Sequence, residues 1–141
     1  MSSPEAAPTY TVLVYSQRDK VRADVRTALG RRLRGGQGLL EYVECTDVDA
    51  LLLAVDGGGI DVAILDGEAQ PTGGMGISRQ LKYEITDCPS ICVLLARADD
   101  RWLATWSLAD ATLVYPLDAL TAAGTVTELV RERAAGIPVR R

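Results

Sequence analysis

The 141-residue chain contains no histidine, and that absence excludes much of enzymology. Ser-His-Asp and Cys-His catalysis both need an imidazole as the general base. Three cysteines are present, Cys45, Cys88 and Cys92; they are odd in number, lack metal-ligand spacing and lie in or beside apolar runs. We therefore expect reduced, structural thiols and no zinc site.

Long apolar runs and an excess of basic residues are also missing. No run reaches the ~18 residues of a membrane span, and residues 1–8 lack the basic and apolar parts of a secretion signal. A formal net charge of −4 argues against nucleic-acid binding as the main role, because such affinity depends on many Lys and Arg contacts. The expectation is a cytoplasmic protein without a membrane or nucleic-acid partner.

Apolar residues follow two alternating periods along the chain. Residues 10–15 form a continuous apolar, β-branched run typical of a buried parallel strand. From Asp19 the apolar residues recur at helical spacing as far as Leu33, where Gly35 and Gly36 are expected to end the helix. The same alternation then recurs, which predicts strands at 10–15, 39–45, 60–65, 91–96 and 112–115, and helices at 19–33, 46–55, 77–85, 99–109 and 118–134.

Strict alternation with short connections predicts one α/β domain, a parallel sheet covered by helices on both faces. Thr46, with Asp49 three residues later, resembles a capping box that opens the second helix. We assign residues 9–135 to this domain, 1–8 to a flexible arm and 136–141 to a tail. In such sheets ligands bind at the carboxyl ends of the strands, and Asp66 follows the third predicted strand at that edge.

Three residues give the chain a resemblance to the receiver domain of bacterial response regulators, over about residues 9–133. Asp66 directly follows the strand IDVAIL, Gly74 comes eight positions later, and Pro116 follows the fifth strand. The resemblance implies a flavodoxin-like, CheY-like (βα)5 sandwich with strand order 2-1-3-4-5 and a cis Tyr115-Pro116 peptide. It also implies that Asp66 is equivalent to the aspartate that accepts a phosphoryl group from a histidine kinase.

The residues that support this phosphorylation in the family are replaced here. Ser16 and Gln17 stand where the family has the acid pair that holds magnesium, and Leu95 or Ala96 stands where its fourth strand ends in a hydroxyl. Tyr115 replaces the lysine before the proline, and Thr112 replaces the switch aromatic. Losing one preorganised electrostatic group typically costs ~100- to 1,000-fold in rate, although such losses need not add. Rapid phosphorylation of Asp66 is therefore not expected, and Asp66 with Glu68 would hold a cation only weakly.

Three functions fit this pattern. The first is an atypical, stand-alone receiver that binds a protein partner without magnesium-dependent phosphorylation and without any cofactor. The second is a working phospho-receiver that uses magnesium and substitutes such as Asp19 or Glu68, with Asp66 as the phosphoacceptor for a histidine kinase. The third is a small-molecule sensor, which a concave, partly apolar cavity around Ser16, Asp66, Ala96 and Tyr115 would favour.

Trp102 and Trp106 are the only tryptophans, four residues apart on one face of the fourth helix. Such a pair is more often core or half-buried packing than a recognition site. The alternative is a partner surface, because tryptophan is enriched at interface hot spots and receivers often dimerise through the fourth helix, fifth strand and fifth helix. A homodimer through that face is therefore also considered.

Overall fold

Strands and helices alternate strictly in the computed structural model, which describes residues 7–35, 38–68 and 73–134. The strands are β1 Thr9–Tyr15, β2 Leu39–Cys45, β3 Val62–Asp66, β4 Ser90–Leu95 and β5 Ala111–Val114. The helices are α1 Asp19–Leu29, α2 Val48–Asp56, α3 Gly74–Glu84, α4 Arg101–Ser107, which follows a 3-10 turn at Ala98–Asp100, and α5 Ala119–Ala134. All strand pairs are parallel, in the order β2-β1-β3-β4-β5, which confirms the predicted topology.

The sheet divides the core into two layers, because successive side chains of a strand point to opposite faces. From β1, Val12 and Val14 pack with α1 and α5, whereas Leu13 and Tyr15 pack with α2 and α3. The central strand β3 is buried along its whole length, in agreement with its apolar residues 62–65, which precede Asp66. Within the described residues no helix is long and apolar enough to cross a membrane.

Helix α1 ends at Leu29, so its predicted extension to Leu33 is wrong. Gly30 has a φ of +74°, a left-handed value that glycine tolerates and that ends the helix. Leu33 is nevertheless buried, and its neighbour Arg32 forms an isolated antiparallel bridge with Leu39. The apolar spacing therefore predicted correctly that Leu33 is buried, and predicted incorrectly that it belongs to the helix.

The predicted capping box of α2 is also wrong. Asp47 is the N-cap, and its carboxylate accepts a hydrogen bond of 2.8 Å from the Ala50 amide, a function that aspartate performs as well as threonine. The other elements begin or end within three residues of their predicted positions. Most of the predicted arm and the whole tail 136–141 lie outside the described residues, as does Gly36.

The cysteines are free thiols, as expected from their number and spacing. Cys45 and Cys92 are buried and Cys88 is partly buried. Burial raises the pKa of the Cys92 thiol to about 12, so at neutral pH it is a protonated packing group and not a reactive thiolate.

Gly74 allows α3 to approach β3 closely, next to Asp66. A Cβ atom on Gly74 would lie 2.8 Å from both the Asp66 carbonyl oxygen and the Leu65 Cβ, which is too short for a real contact. Tyr15 pairs with Leu65 in the sheet, so the residues that follow β1 and β3 emerge side by side. The ends of β1 and β3 therefore lie next to each other, with Asp66, at the carboxyl edge of the sheet.

Candidate functional site

Asp66, the last residue of β3, has a side chain that is only 2% exposed and is held by three groups of its own chain. The Ser16 hydroxyl donates to Oδ2 at 2.7 Å, and the Glu68 amide donates to Oδ1 at 2.9 Å. The Arg18 guanidinium forms an ion pair, with Nη2 3.0 Å from Oδ2 and 3.3 Å from Oδ1. The negative charge of Asp66 is thus countered without any added cation.

The turn after β1 positions Arg18 for this contact. The Ser16 amide extends the sheet by donating to the Cys45 carbonyl at 3.1 Å. The Ser16 hydroxyl, which donates to Asp66, also accepts from the Arg18 amide at 3.1 Å, because a hydroxyl can do both. Arg18 is the N-cap residue of α1, so its backbone is fixed where its side chain reaches the end of β3.

Tyr115 connects this ion pair to α1. The Arg18 guanidinium carbon lies 5.8 Å from the centre of the Tyr115 ring, within the range of a cation–π contact. The Tyr115 hydroxyl donates to the Asp24 carboxylate, which also pairs with Lys20 at 3.1 Å. The hydrogen bond lowers the pKa of Asp24 and raises that of Tyr115. Tyr115 is therefore a neutral phenol at physiological pH and supplies no positive charge.

A cleft of about 230 Å³ opens beside Asp66. One wall is the apolar end of β4 and the residue after it, and the rest is polar or aromatic. Its lining residues are Arg18, Asp66, Glu68, Leu94, Leu95, Ala96 and Tyr115. The end of β4 therefore offers no hydroxyl to a ligand in this cleft.

Comparison with known proteins identifies the family to which the chain belongs. No protein-family model matches the chain. The chain is 47% identical over 128 residues to an uncharacterized response regulatory protein of Mycobacterium tuberculosis, found in strains H37Rv and CDC 1551, with 91% of this chain and 96% of the relative covered. The chain belongs to the response-regulator receiver family.

Solved structures agree on the fold of this receiver. The receiver domain of Francisella response regulator 1452 superposes with a TM-score of 0.72 at 17% identity, covering 88% of this chain and 98% of that one. A putative response regulator from Chloroflexus aurantiacus gives a TM-score of 0.73 at 16% identity, with the same coverage. At these identities the superpositions concern the fold alone.

The receiver fold brings together only some of the predicted pocket residues. Ser16, Ala96 and Tyr115 lie around Asp66, and the Tyr115-Pro116 peptide is cis. Thr112 pairs with Val93 inside the sheet and does not line the cleft. Gln17 and Pro116 are exposed and do not line it either.

Arg18 is the residue of this receiver site that sequence reasoning missed. The sequence places it two positions after Ser16 at the start of a helix, where an arginine is usually solvated. Its side chain is in fact 53% exposed, yet its guanidinium is in direct contact with Asp66. Its position at the carboxyl edge of the sheet was the one signal available.

The residues of this receiver do not fit the magnesium ion that the family implies. A magnesium site needs carboxylate oxygens with room for water around the cation. Here Arg18, itself a cation, already contacts both oxygens of Asp66, and Ser16 and Gln17 carry no charge. Among residues 7–35, 38–68 and 73–134, no group of three or more Cys, Asp or Glu side chains could hold a metal ion.

Proposed function

We propose that the chain is an atypical receiver that acts by binding a protein partner, without magnesium-dependent phosphorylation of Asp66 and without enzymatic activity. The observation that carries this proposal is the Arg18–Asp66 ion pair, reinforced by the Ser16 hydrogen bond. The partner is a histidine kinase or another signalling protein. The homodimer through α4, β5 and α5 stays a prediction, supported by Leu120, which is 67% exposed on α5.

Phosphoryl transfer to a carboxylate depends on a free oxygen nucleophile and on nearby positive charge that offsets the incoming phosphate. Both oxygens of Asp66 already accept hydrogen bonds from the protein. A phosphoryl group on Oδ2 would displace the Ser16 hydroxyl and Arg18. Tyr115, where the family has a lysine, provides no positive charge for the phosphate, and neither Leu95 nor Ala96, at the end of β4 where the family has a hydroxyl, has a side chain that can donate a hydrogen bond.

The proposal predicts that Asp66 stays unmodified when the protein is incubated with acetyl phosphate and millimolar magnesium. Intact-mass spectrometry measures the outcome directly, because one phosphoryl group changes the mass of the whole chain. The Asp66→Asn variant is the matched control. A stoichiometric, magnesium-dependent gain of phosphate that this variant loses would refute the proposal and establish a phospho-receiver.

A second candidate function is the sensing of a small anion, which the cleft beside Asp66 favours. Only Nη2 of Arg18 binds Asp66, so the half-exposed guanidinium has further N–H donors for a ligand. The volume of about 230 Å³ is below the ~300–1,000 Å³ typical of larger ligands. Inorganic phosphate and acetate are therefore suitable probes.

This second function predicts that phosphate or acetate raises the melting temperature with increasing concentration, because a ligand that binds only the folded state stabilises it. Arg18→Gln is expected to abolish the shift, whereas Lys20→Gln, at an exposed neighbouring position, is expected to retain it. If neither anion changes the melting temperature of the wild-type protein, the sensor function loses its basis.

A further inference from the structure

Three large aromatic side chains are exposed on the α3–α4 face. Tyr83 is 70% exposed, Trp102 is 68% exposed and Trp106 is 51% exposed. Neither tryptophan is therefore buried in the core, and Trp106 is about half-buried. Together with Arg79 these residues form a surface that we call the aromatic patch. Exposed apolar surface of this kind marks interaction sites in soluble proteins.

Arg79 organises the aromatic patch. Its guanidinium carbon lies 5.1 Å from the centre of the Tyr83 ring and 4.9 Å from that of Trp106. Its Nη1 donates to the Trp106 carbonyl at 2.7 Å, and its Nη2 donates to the Tyr83 hydroxyl at 3.3 Å. Side chains held in this way lose little further freedom when a partner binds, which favours affinity.

The charge of Arg79 indicates what kind of partner fits. No carboxylate of the described residues pairs with it, although the chain has a net charge of −4 and Arg22 and Arg26 both pair with Glu44. A guanidinium has five N–H donors, and the two bonds above leave three for a ligand. A carboxylate matches these donors in both charge and geometry.

The size of the aromatic patch favours a short segment over a second copy of the chain. Aromatic side chains bury ~150–250 Å² each, so the exposed fractions of the three rings amount to roughly 300–500 Å². A stable interface needs ~800 Å² from each partner. The patch is rich in Trp, Tyr and Arg, the residues enriched at interface hot spots. Its area is small enough for a short peptide segment to cover.

We propose that the aromatic patch docks a short acidic segment of a partner protein, with a carboxylate on Arg79 and apolar side chains across Trp102 and Trp106. The proposal rests on the proposed function, since it specifies the partner of a protein-binding receiver. Because Arg79 and Trp106 join α3 to α4, the surface lies on the α3 side of α4, away from the α5 helix considered for dimerisation.

Panning of a random peptide display library on the full-length protein tests this proposal. We expect enriched peptides that combine Asp or Glu with neighbouring apolar residues. A fluorescently labelled synthetic copy of the enriched sequence then gives affinities by polarisation. Binding is expected to weaken at least about tenfold in Arg79→Gln and in Trp102→Ala, and to weaken as salt rises. Leu53→Ala, at a residue 75% exposed on α2, is the matched control and is expected to bind normally.

Several outcomes would overturn the proposal: no enrichment, enrichment of basic peptides, or peptides that still bind Trp102→Ala. Self-association in light scattering that Trp102→Ala abolishes would show a second copy as the occupant instead. Circular dichroism checks that each variant is folded. If Arg79→Gln disturbs the packing of α4, Trp102→Ala still tests the proposal. The intact-mass assay on Asp66 is independent of peptide binding, so failure of docking and failure of the proposed function are distinguishable.

Discussion

Replacing Ser16 and Gln17 with aspartate, Arg18 with alanine and Tyr115 with lysine is expected to make Asp66 a magnesium-dependent phosphoacceptor. The acids supply oxygen ligands for the cation, the alanine frees the Asp66 carboxylate, and the lysine supplies positive charge. One restored electrostatic group is worth ~100- to 1,000-fold, and such effects need not add. We therefore expect at least ~100-fold faster phosphate uptake than in the wild-type protein, measured as a time course of intact mass with acetyl phosphate.

The same variant carrying Asp66→Asn is the control for the modified residue. Magnesium is expected to raise the melting temperature of the rebuilt protein and not that of the wild type, because the clustered carboxylates repel one another until a cation binds. Ser16 is fully buried, so a second variant that keeps it covers the case in which the first does not fold. A folded, rebuilt protein that neither binds magnesium nor gains phosphate would show that these four positions do not account for the proposed lack of phosphorylation.

Breaking the buried Lys82–Asp110 ion pair is expected to cause the largest loss of stability. Lys82 Nζ lies 2.6 Å from Asp110 Oδ2, and the two side chains are 7% and 0% exposed. The Ile91 amide donates to the same oxygen at 2.8 Å, so the pair joins α3 to the start of β4 and β5. Lys82→Met leaves a buried carboxylate without its counter-charge, which costs about 3–5 kcal/mol in free energy of unfolding.

Urea denaturation measures this cost. Lys20→Met is the matched control, because Lys20 pairs with Asp24 while 81% exposed, and exposed pairs contribute about 0–1 kcal/mol. The double variant Lys82→Met/Asp110→Leu is expected to lose less stability than the two single variants combined, since it removes both buried charges together. Equal effects of Lys82→Met and Lys20→Met would contradict the assigned role of the buried pair.

The topology of this receiver was predictable because its signals are local. Strand and helix periods alternate without interruption, and parallel strands joined by short crossovers allow few arrangements. The resemblance at Asp66, Gly74 and Pro116 then implied the observed strand order and the cis peptide. The structure adds a physical reason for Gly74, where a side chain would collide with β3.

The ends of the helices and strands were less predictable, because apolar periodicity indicates which residues are buried and not where a helix or strand ends. Leu33 is buried like a helix residue, although α1 has ended at Gly30. Similarly, the four-residue spacing of Trp102 and Trp106 places both side chains on one face of a helix, but it does not show whether that face is buried or exposed. Only the packing of α4 against α3 decides between the two.

The ion pair at the centre of the site could not be read from the sequence. Arg18 and Asp66 are separated by 48 positions, and Tyr115 and Asp24 by 91. Each contact depends on side-chain reach across the carboxyl edge of the sheet. The sequence shows which charged groups are absent near Asp66, whereas the contact of Arg18 with Asp66 is visible only in the folded structure.

The Arg18–Asp66 pair also has a consequence for how the site responds to its surroundings. A dissolved cation occupies a carboxylate according to its concentration and is withdrawn by chelators. Arg18 is part of the same chain, so its effective concentration beside Asp66 is set by the length of the turn after β1. The positive charge beside Asp66 is therefore supplied by the chain itself.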